Sequence, residues 1–458
     1  MARSGISVKQ HLYPWLQSKR QWISQQVARL LEDNKPKNSI ASLDGVRALA
    51  CLSVITYHLS LLVIGAHIWK PVEPFTTGLI LSGASGVTLF FVLSGFLLFL
   101  PYAQALLFER NWPSAWRFYL RRFFRIVPAY YVALFLIILL FPPQPTNQQY
   151  LQPAHTQDLL LFLLLFMDST KATNHQINGP FWTLAIEWQY YLLLPLLTVG
   201  MAVVIHRLRQ STPGRRCIIV ACCLLGVIVW GVYWRYWGYY FTAHPTATFL
   251  LPRYLLDSIL FFTFGSTGKY LEDFAVGMLI SLCYIFARNR PAEHPFNHIL
   301  RRLSPWLFGA GMVALVLMSM WVYNERALHT WPLLDGLHPF FLWSIELSYS
   351  LSFGLCVIAL LFGSPTLQRP FVWSPLRWIG LISYSLYMWH LPLFLIYNLY
   401  IGHALPDWNP VLAYSRYWLW LWLIIIPFSF LSFIWLEKPW MQLGTSLLSK
   451  RKDASQDG

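Results

Sequence analysis

The chain has 458 residues, of which 56% are hydrophobic, 17% aromatic and only 12% charged, and its mean hydropathy is positive at +0.47. This balance excludes an ordinary soluble domain and is typical of a polytopic, all-α membrane protein. The formal charge of +15 does not indicate a nucleic-acid partner, because the lysines and arginines cluster at the ends of apolar runs and act as topology signals.

Cysteine usage gives no sign of a metal site or a disulfide framework. The six cysteines lie in or beside apolar segments, and they lack the paired spacing of metal ligands. We therefore expect them to be small core residues, and we expect no metal.

The predicted elements begin with a cytoplasmic region, residues 1–41. Between residues 10 and 32, apolar side chains recur near a helical period, with Lys19, Arg20 and Arg29 among them. This pattern favours an amphipathic helix lying on an anionic membrane surface. The alternative is a disordered tail with scattered apolar residues.

About ten apolar runs follow, each close to the roughly 20 residues that a helix needs to cross the hydrocarbon core. They lie at about 46–66, 83–101, 122–141, 184–206, 216–237, 270–287, 305–323, 340–363, 378–400 and 417–437. Basic clusters occupy every second connection, so both termini are predicted to be cytoplasmic. Residues 42–440 form the predicted transmembrane domain, and residues 441–458 a cytoplasmic tail.

Two segments interrupt the alternation of spans and connections. Residues 158–167 are apolar but too short to cross, so we expect a re-entrant or interfacial segment there. Residues 235–268 contain an apolar patch that Pro252, Arg253 and Asp257 interrupt, and we expect an external elaboration.

The first span opens with the stretch SLDGVRALACLSVITYH, in which Arg47 and His58 lie eleven residues apart. At about 100° per residue they return to one face of the helix, about 16 Å apart along its axis. A fixed cation at the cytoplasmic rim and an imidazole at depth suit an elongated anionic ligand, and Asp44 is placed to orient Arg47. The alternative is an arginine that extends to the interface and a histidine that binds a neighbouring carbonyl.

The next polar cluster, WRFYLRRFFRIVPAYY, lies at the start of the third span. Arg122 and Arg125 are three residues apart and face one direction, which predicts a two-pronged site for phosphate groups. A positive-inside anchor would explain the same arginines without a ligand.

The stretch NGPFWTLAIEWQYYLLLPLL places Glu187 in the first two turns of a helix that opens after Gly179 and Pro180. A carboxylate is electrostatically stable near a helix N-terminus, but it can also hold an imidazole or bind a hydroxyl-bearing acceptor. Trp182 belongs either to an interfacial aromatic belt or to a surface that stacks on sugars.

A second buried histidine, His390, lies near the centre of a later span in ISYSLYMWHLPLF. We assign supporting roles to His390 and Tyr384, with interhelical hydrogen bonding as the alternative. Ser94 and Gly95, in GVTLFFVLSGFLLFL, permit close helix packing, and Ser94 is a further supporting candidate. Glu346 is predicted to lie inside the membrane and has no assigned role.

Taken together, these stretches resemble the membrane acyltransferase 3 family over residues 42–440. The matching blocks occur in the family's order: LDGVRALACLSVITYH, GVTLFFVLSGFLL, RRFFRIVPAYY, FWTLAIEWQYYLLLP, YSLYMWHLPLF and WLEKPW. The family's arginine and histidine of the first helix fall on Arg47 and His58, and its paired arginines fall on Arg122 and Arg125.

The resemblance implies a multi-pass enzyme of the plasma (inner) membrane, surrounded by membrane lipids. It would move an acyl group, which we expect to be acetyl, from cytosolic acyl-CoA to a hydroxyl of a carbohydrate or lipid-linked glycan acceptor at the outer side. Arg47, Arg122 and Arg125 would bind the phosphates of the donor.

His58 would then act as a general base or as a transient acyl carrier, and Glu187 would hold its ring if the two helices meet. An alternative from another class is a secondary transporter or flippase for a glycolipid or polysaccharide precursor. In that case His58, Glu187 and His390 would form a proton relay.

Overall fold

The computed structural model describes residues 40–65, 74–141, 146–209, 212–291, 293–327, 331–402 and 410–453. Within these ranges the chain is almost entirely helical and forms no β-strand. The predicted all-α polytopic fold is therefore confirmed. The amphipathic helix predicted at residues 10–32 lies outside the described residues.

The first part of the chain alternates long helices with short ones. The α-helices are α1 (Ala41–Gly65), α2 (Pro74–Leu81), α3 (Gly86–Phe108), α4 (Ala115–Leu140), α5 (Thr156–Leu163), α6 (Phe181–Arg207), α7 (Pro213–Ala243), α8 (Arg253–Thr263) and α9 (Leu271–Arg288). Local signals set their ends: the Ser114 side chain accepts from the backbone N–H of Arg117 and caps α4, and Pro213 opens α7 where no intrahelical donor is needed.

The second part of the chain follows the same pattern. Its α-helices are α10 (Pro295–Ala327), α11 (Pro332–Asp335), α12 (His338–Phe362), α13 (Pro365–Gln368), α14 (Ser374–Leu381), α15 (Ser383–Ile396), α16 (Pro410–Trp420), α17 (Ile426–Ser432) and α18 (Lys438–Asp453). Two π-helical turns, Leu421–Ile425 and Phe433–Glu437, connect α16, α17 and α18 without a break. The tail predicted from residue 441 therefore begins as a continuation of the last helix.

Each of the ten predicted spans falls on helical segments, with 378–400 on the bent pair α14 and α15, but fewer helices qualify as crossings by length and composition. Among the described residues eight helices are long and apolar enough to cross a membrane, and α14 with α15, bent by 74°, would make a ninth. α9 has only 18 residues, of which Glu272, Asp273 and Arg288 are charged. The count of ten stays a prediction.

The short apolar run at residues 158–167 does not form a long helix. It forms α5, of eight residues, and enters a turn at Met167–Ser169. Eight helical residues rise about 12 Å, less than half of the hydrocarbon thickness. Residues 164–180, named here the α5–α6 loop, then lead back to α6.

The centre of the bundle is a close crossing of α3 and α9. A methyl group added to Gly95 would lie 2.1 Å from the carbonyl oxygen of Phe274, and one added to Gly277 would lie 2.0 Å from that of Val92. Only glycine permits two helix backbones to approach this closely. This contact gives Gly95 the packing role expected of it.

Residues 235–268 were predicted to form an external elaboration, but the first nine of them still belong to the long helix α7. α7 continues to residue 243, and Arg235 is only 2% exposed. Its Nε donates to Oε1 of Glu272 at 2.7 Å, and its guanidinium lies 4.4 Å from the centroid of the Tyr270 ring. A paired guanidinium is tolerated inside a helical bundle, so the arginine does not mark the end of a span.

Candidate active site

Two histidines meet inside the bundle, one from α1 and one from α15. Nδ1 of His58 lies 3.0 Å from Nε2 of His390, and the ring centroids are 5.0 Å apart. His390 is fully buried, whereas His58 is half-buried. The two residues are 332 positions apart in the chain, so only the fold brings them together.

Hydrogen bonds to the backbone determine the tautomers of this pair. Nδ1 of His390 lies 2.8 Å from the carbonyl oxygen of Tyr387 and 3.2 Å from that of Leu386, and a carbonyl can only accept. Nδ1 of a neutral His390 therefore carries the proton, its Nε2 accepts, and Nδ1 of His58 donates. In this arrangement the available lone pair of His58 is on Nε2.

The three arginines nominated from the sequence gather between α1 and α4. Arg125 is an electrostatic neighbour of both Arg47 and Arg122. Nε of Arg122 is buried without a hydrogen-bond partner. Within the described ranges, no carboxylate lies within salt-bridge distance of any of the three. We call these residues the arginine cluster.

Glu187 lies beside the arginine cluster and does not contact the histidine pair. Its Oε1 accepts from the Ser94 hydroxyl at 3.0 Å and from the Tyr191 hydroxyl at 2.5 Å. It is also an electrostatic neighbour of Arg47. The predicted contact between Glu187 and the imidazole of His58 does not form: Glu187 bonds Ser94 and Tyr191 instead, and His390 contacts Nδ1 of His58.

A second carboxylate near the arginine cluster was not identified from the sequence. Glu437, at the end of the π-helical turn before α18, is 3% exposed and accepts a hydrogen bond from the Ser385 hydroxyl. It is an electrostatic neighbour of Arg125 and Arg47. The available signal was an acidic residue in the block WLEKPW at the end of an apolar run, where a charge needs a partner.

Hydrogen-bonded side chains link Ser385, which donates to Glu437, with Trp389, which directly precedes His390 in α15. Ser385 Oγ lies 3.3 Å from Ser432 Oγ, which accepts from Nε1 of Trp389 at 2.8 Å. Trp389 is 1% exposed and directly precedes His390. The same two turns of α15 therefore position groups at both parts of the site.

Asp44 pairs with Arg377 of α14, and not with Arg47 as predicted. Its Oδ2 accepts from Nη2 of Arg377 at 3.1 Å and from Nε at 3.3 Å. α14 lies so close to the start of α1 that a methyl group added to Gly380 would be 2.0 Å from the carbonyl oxygen of Asp44. This contact between helices distant in sequence overrides the local pairing along α1.

The remaining supporting candidates lie in different parts of the structure. The Tyr384 hydroxyl donates to the carbonyl oxygen of Ile126 at 3.0 Å, next to Arg125, so it helps to position α4. Trp182 lies at the start of α6, with its ring centroid 5.5 Å from that of His175.

Glu346, for which the sequence suggested no role, belongs to a separate buried network. Its Oε2 accepts from the Thr88 hydroxyl at 2.6 Å, and it is an electrostatic neighbour of Arg235 and Asp273. Asp273 accepts in turn from Ser350 at 2.6 Å. No group of three or more His, Cys, Asp or Glu residues in the described part of the chain is arranged to hold a metal ion.

Comparison with known families places this site in context. A family model described as an acyltransferase domain matches residues 40–438, which include the histidine pair and the arginine cluster. The chain belongs to the acyltransferase 3 family. This acyltransferase 3 membership confirms the expectation of a membrane enzyme that transfers acyl groups, and it disfavours the transporter alternative.

Curated relatives of this acyltransferase 3 chain are distant but cover most of it. It is 25% identical over 426 residues to a putative peptidoglycan O-acetyltransferase of Bacillus subtilis, covering 90% of the chain and 56% of the relative. It is 25% identical over 370 residues to a peptidoglycan O-acetyltransferase of Listeria monocytogenes, covering 77% and 49%. The chain thus spans about half the length of these relatives. No solved structure matches it significantly.

Proposed function

We propose that this acyltransferase moves an acetyl group from acyl-CoA to a hydroxyl of a cell-envelope glycan. One observation carries the proposal: α1 bears both an arginine of the arginine cluster and the imidazole of the histidine pair. Arg47 and His58 are separated by about 16 Å along one helix face. An elongated anionic donor can therefore hold its phosphates at one end and present its thioester at the other.

The charge of the arginine cluster supports an anionic donor. Three guanidinium groups face two nearby carboxylates, Glu187 and Glu437. The third carboxylate near Arg47, Asp44, is paired with Arg377, so at least one positive charge remains uncompensated. A buried uncompensated charge is costly, and the phosphates of acyl-CoA would remove that cost. The unpartnered Nε of Arg122 offers one donor for such a group.

The chemistry is assigned to Nε2 of His58. In the base mechanism, Nε2 takes the proton from the acceptor hydroxyl as its oxygen attacks the thioester carbon. The new C–O bond forms, the C–S bond breaks, and the imidazolium returns its proton to the departing thiolate. In the acyl-carrier mechanism, Nε2 itself attacks the thioester carbon, an N–C bond forms, the C–S bond breaks, and a thiolate leaves an acyl-imidazolium on His58. The acceptor hydroxyl then attacks the acyl carbon, the N–C bond breaks, and the hydroxyl proton goes to the departing thiolate.

The proposed sidedness follows from the distribution of basic residues. Clusters at 110–125, 206–216 and 288–302 lie at one set of helix ends, which we assign to the cytoplasm. Acyl-CoA would then enter from the cytoplasmic face of the plasma membrane, and the glycan or lipid-linked glycan from the opposite face. The printed names of the relatives make peptidoglycan the first glycan to test.

The donor site is tested with purified protein in lipid nanodiscs and radiolabelled acetyl-CoA. Arg125→Gln should weaken binding about tenfold or more, because one charge-assisted contact to phosphate is lost. Arg302→Gln, at an exposed arginine of α10, is the matched control and should bind like the wild type. Equal affinity in all three proteins, or no binding to the wild type, would refute the acyl-CoA site.

The role of His58 is tested in membranes with matched expression. His58→Ala should reduce acetyl transfer to peptidoglycan about 10²-fold to 10⁴-fold while acetyl-CoA binding is retained. Undiminished transfer would exclude His58 from the chemistry. A rapid quench of the wild type with labelled donor separates the two mechanisms, since only an acyl carrier leaves label on the protein that His58→Ala lacks.

A further inference from the structure

The α5–α6 loop is held against the helix that carries His390. Nδ2 of Asn178 donates to the carbonyl oxygen of Met388 at 2.9 Å. A methyl group added to Gly179 would lie 3.0 Å from the side chain of Leu391. Met388 and Leu391 flank His390 in α15, so the end of the loop lies directly beside the histidine pair.

The backbone of this loop is unusual for residues other than glycine. Leu165, His175 and Ile177 have φ angles of 57°, 60° and 61°. Each such residue costs on the order of 1 kcal/mol or more, and the cost is greatest for a β-branched side chain. Gln189 holds the start of the loop by donating to the carbonyl oxygen of Leu165 at 3.0 Å and to Oδ1 of Asp168 at 2.7 Å. Strain that is retained by surrounding contacts is characteristic of functional segments.

The loop presents an exposed histidine next to an aromatic surface. His175 is exposed and is an electrostatic neighbour of His58. Its ring meets that of Trp182 edge to face, with centroids 5.5 Å apart, and Trp182 lies 5.4 Å from the buried Tyr270 ring. Partial desolvation lowers the pKa of His175 and favours its neutral ring. The N–H of that ring donates to the backbone of Gly179, so the other ring nitrogen is the one that can accept a hydrogen bond from a sugar hydroxyl.

We propose that His175 and Trp182 form the acceptor subsite and bind an uncharged sugar ring of the glycan. This inference rests on the function proposed above. The Trp182 ring stacks on the apolar face of the sugar, because its back is supported by Tyr270. His175 binds a hydroxyl of the same sugar and directs a second hydroxyl to Nε2 of His58. Neither Trp182 nor His175 needs a charge to bind the sugar in this way. The subsite therefore suits a neutral N-acetylhexosamine.

The test uses the full chain in nanodiscs with triacetylchitotriose, a soluble N-acetylglucosamine trimer, as the acceptor. The variants are His175→Ala, Trp182→Leu and the conservative Trp182→Phe. His155→Ala and Trp112→Leu are matched controls, because His155 and Trp112 lie outside both the histidine pair and the α5–α6 loop. Three quantities are measured for each protein: acetyl-CoA affinity, sugar binding by saturation-transfer NMR, and the acceptor KM.

Trp182→Leu and His175→Ala should raise the acceptor KM about fivefold to tenfold, the range for one lost stacking or hydrogen-bonding contact. Trp182→Phe should recover most of the loss, and acetyl-CoA affinity should stay at the wild-type value. An unchanged acceptor KM, or a rise in KM accompanied by an equal loss of acetyl-CoA affinity, would overturn the subsite. If the wild type binds the sugar through these two residues but transfers no acetyl group, the subsite stands and the proposed reaction fails.

Discussion

His390→Leu gives the most direct test of the site, because it removes the imidazole that accepts a hydrogen bond from His58 and leaves that ring only its backbone hydrogen bond with Val54 among the described residues. The 3.0 Å contact between Nδ1 of His58 and Nε2 of His390 is lost, while the volume at this fully buried position is largely kept. Loss of this acceptor costs roughly 1–3 kcal/mol, the range for a buried N–H deprived of its partner. Because the His58 ring gains positive charge in the transition state, the cost falls there and corresponds to a decrease in kcat of about 5-fold to 150-fold.

The assay is the initial rate of acetyl transfer at saturating donor, in membranes adjusted to equal protein content. His206→Leu, at an exposed histidine near the end of α6, is the matched control and should retain wild-type kcat. His390→Gln should recover part of the activity, because a side-chain amide oxygen can still accept from His58.

A double mutant tests the physical reasoning more strictly than either single change. If His390 acts only through His58, then His58→Ala combined with His390→Leu should be no slower than His58→Ala alone. Additive losses would show that His390 acts on the reaction independently. A wild-type rate for His390→Leu would refute the tautomer assignment.

Three further changes test the bundle and the arginine cluster. Gly95→Ala should lower the thermal midpoint in detergent by several degrees, because its methyl group meets the Phe274 backbone, whereas Gly309→Ala, with open space around it, should not. Arg235→Met should lower the free energy of unfolding by about 3–5 kcal/mol, because it leaves buried Glu272 unpaired. The measurement is the yield of folded protein, which should be strongly reduced. Glu437→Gln should lower the Kd for acetyl-CoA about threefold to tenfold, since the cluster gains positive charge; weaker binding in a calorimetric titration would contradict this.

Much of the candidate site could be nominated from the sequence because membranes penalise buried charge strongly. Arg47, His58, Glu187 and His390 each stood out as an ionisable residue in an apolar run, and each occupies the interior of the site. Helical periodicity also put Arg47 and His58 on one face, because that relation depends only on α1. Family blocks then connected these positions to acyl transfer.

The sequence did not predict which side chains pair between different helices. Asp44 was expected to orient Arg47, three residues away, but it forms a salt bridge with Arg377. Glu187 was expected to orient the ring of His58, but His390 contacts that ring instead. A helical pattern specifies which residues share a face, but it does not specify which faces meet.

The sequence by itself determined the class of protein, the helices and the residues available for chemistry, because hydropathy and helical period are local properties. Only the tertiary structure decided how those residues are paired. The bend between α14 and α15 and the close approach of α14 to α1 bring His390 to His58, across 332 residues of chain. The hydrogen bond formed there, and not the histidine alone, leaves the lone pair of His58 on Nε2, the atom to which we assign the chemistry in our proposal.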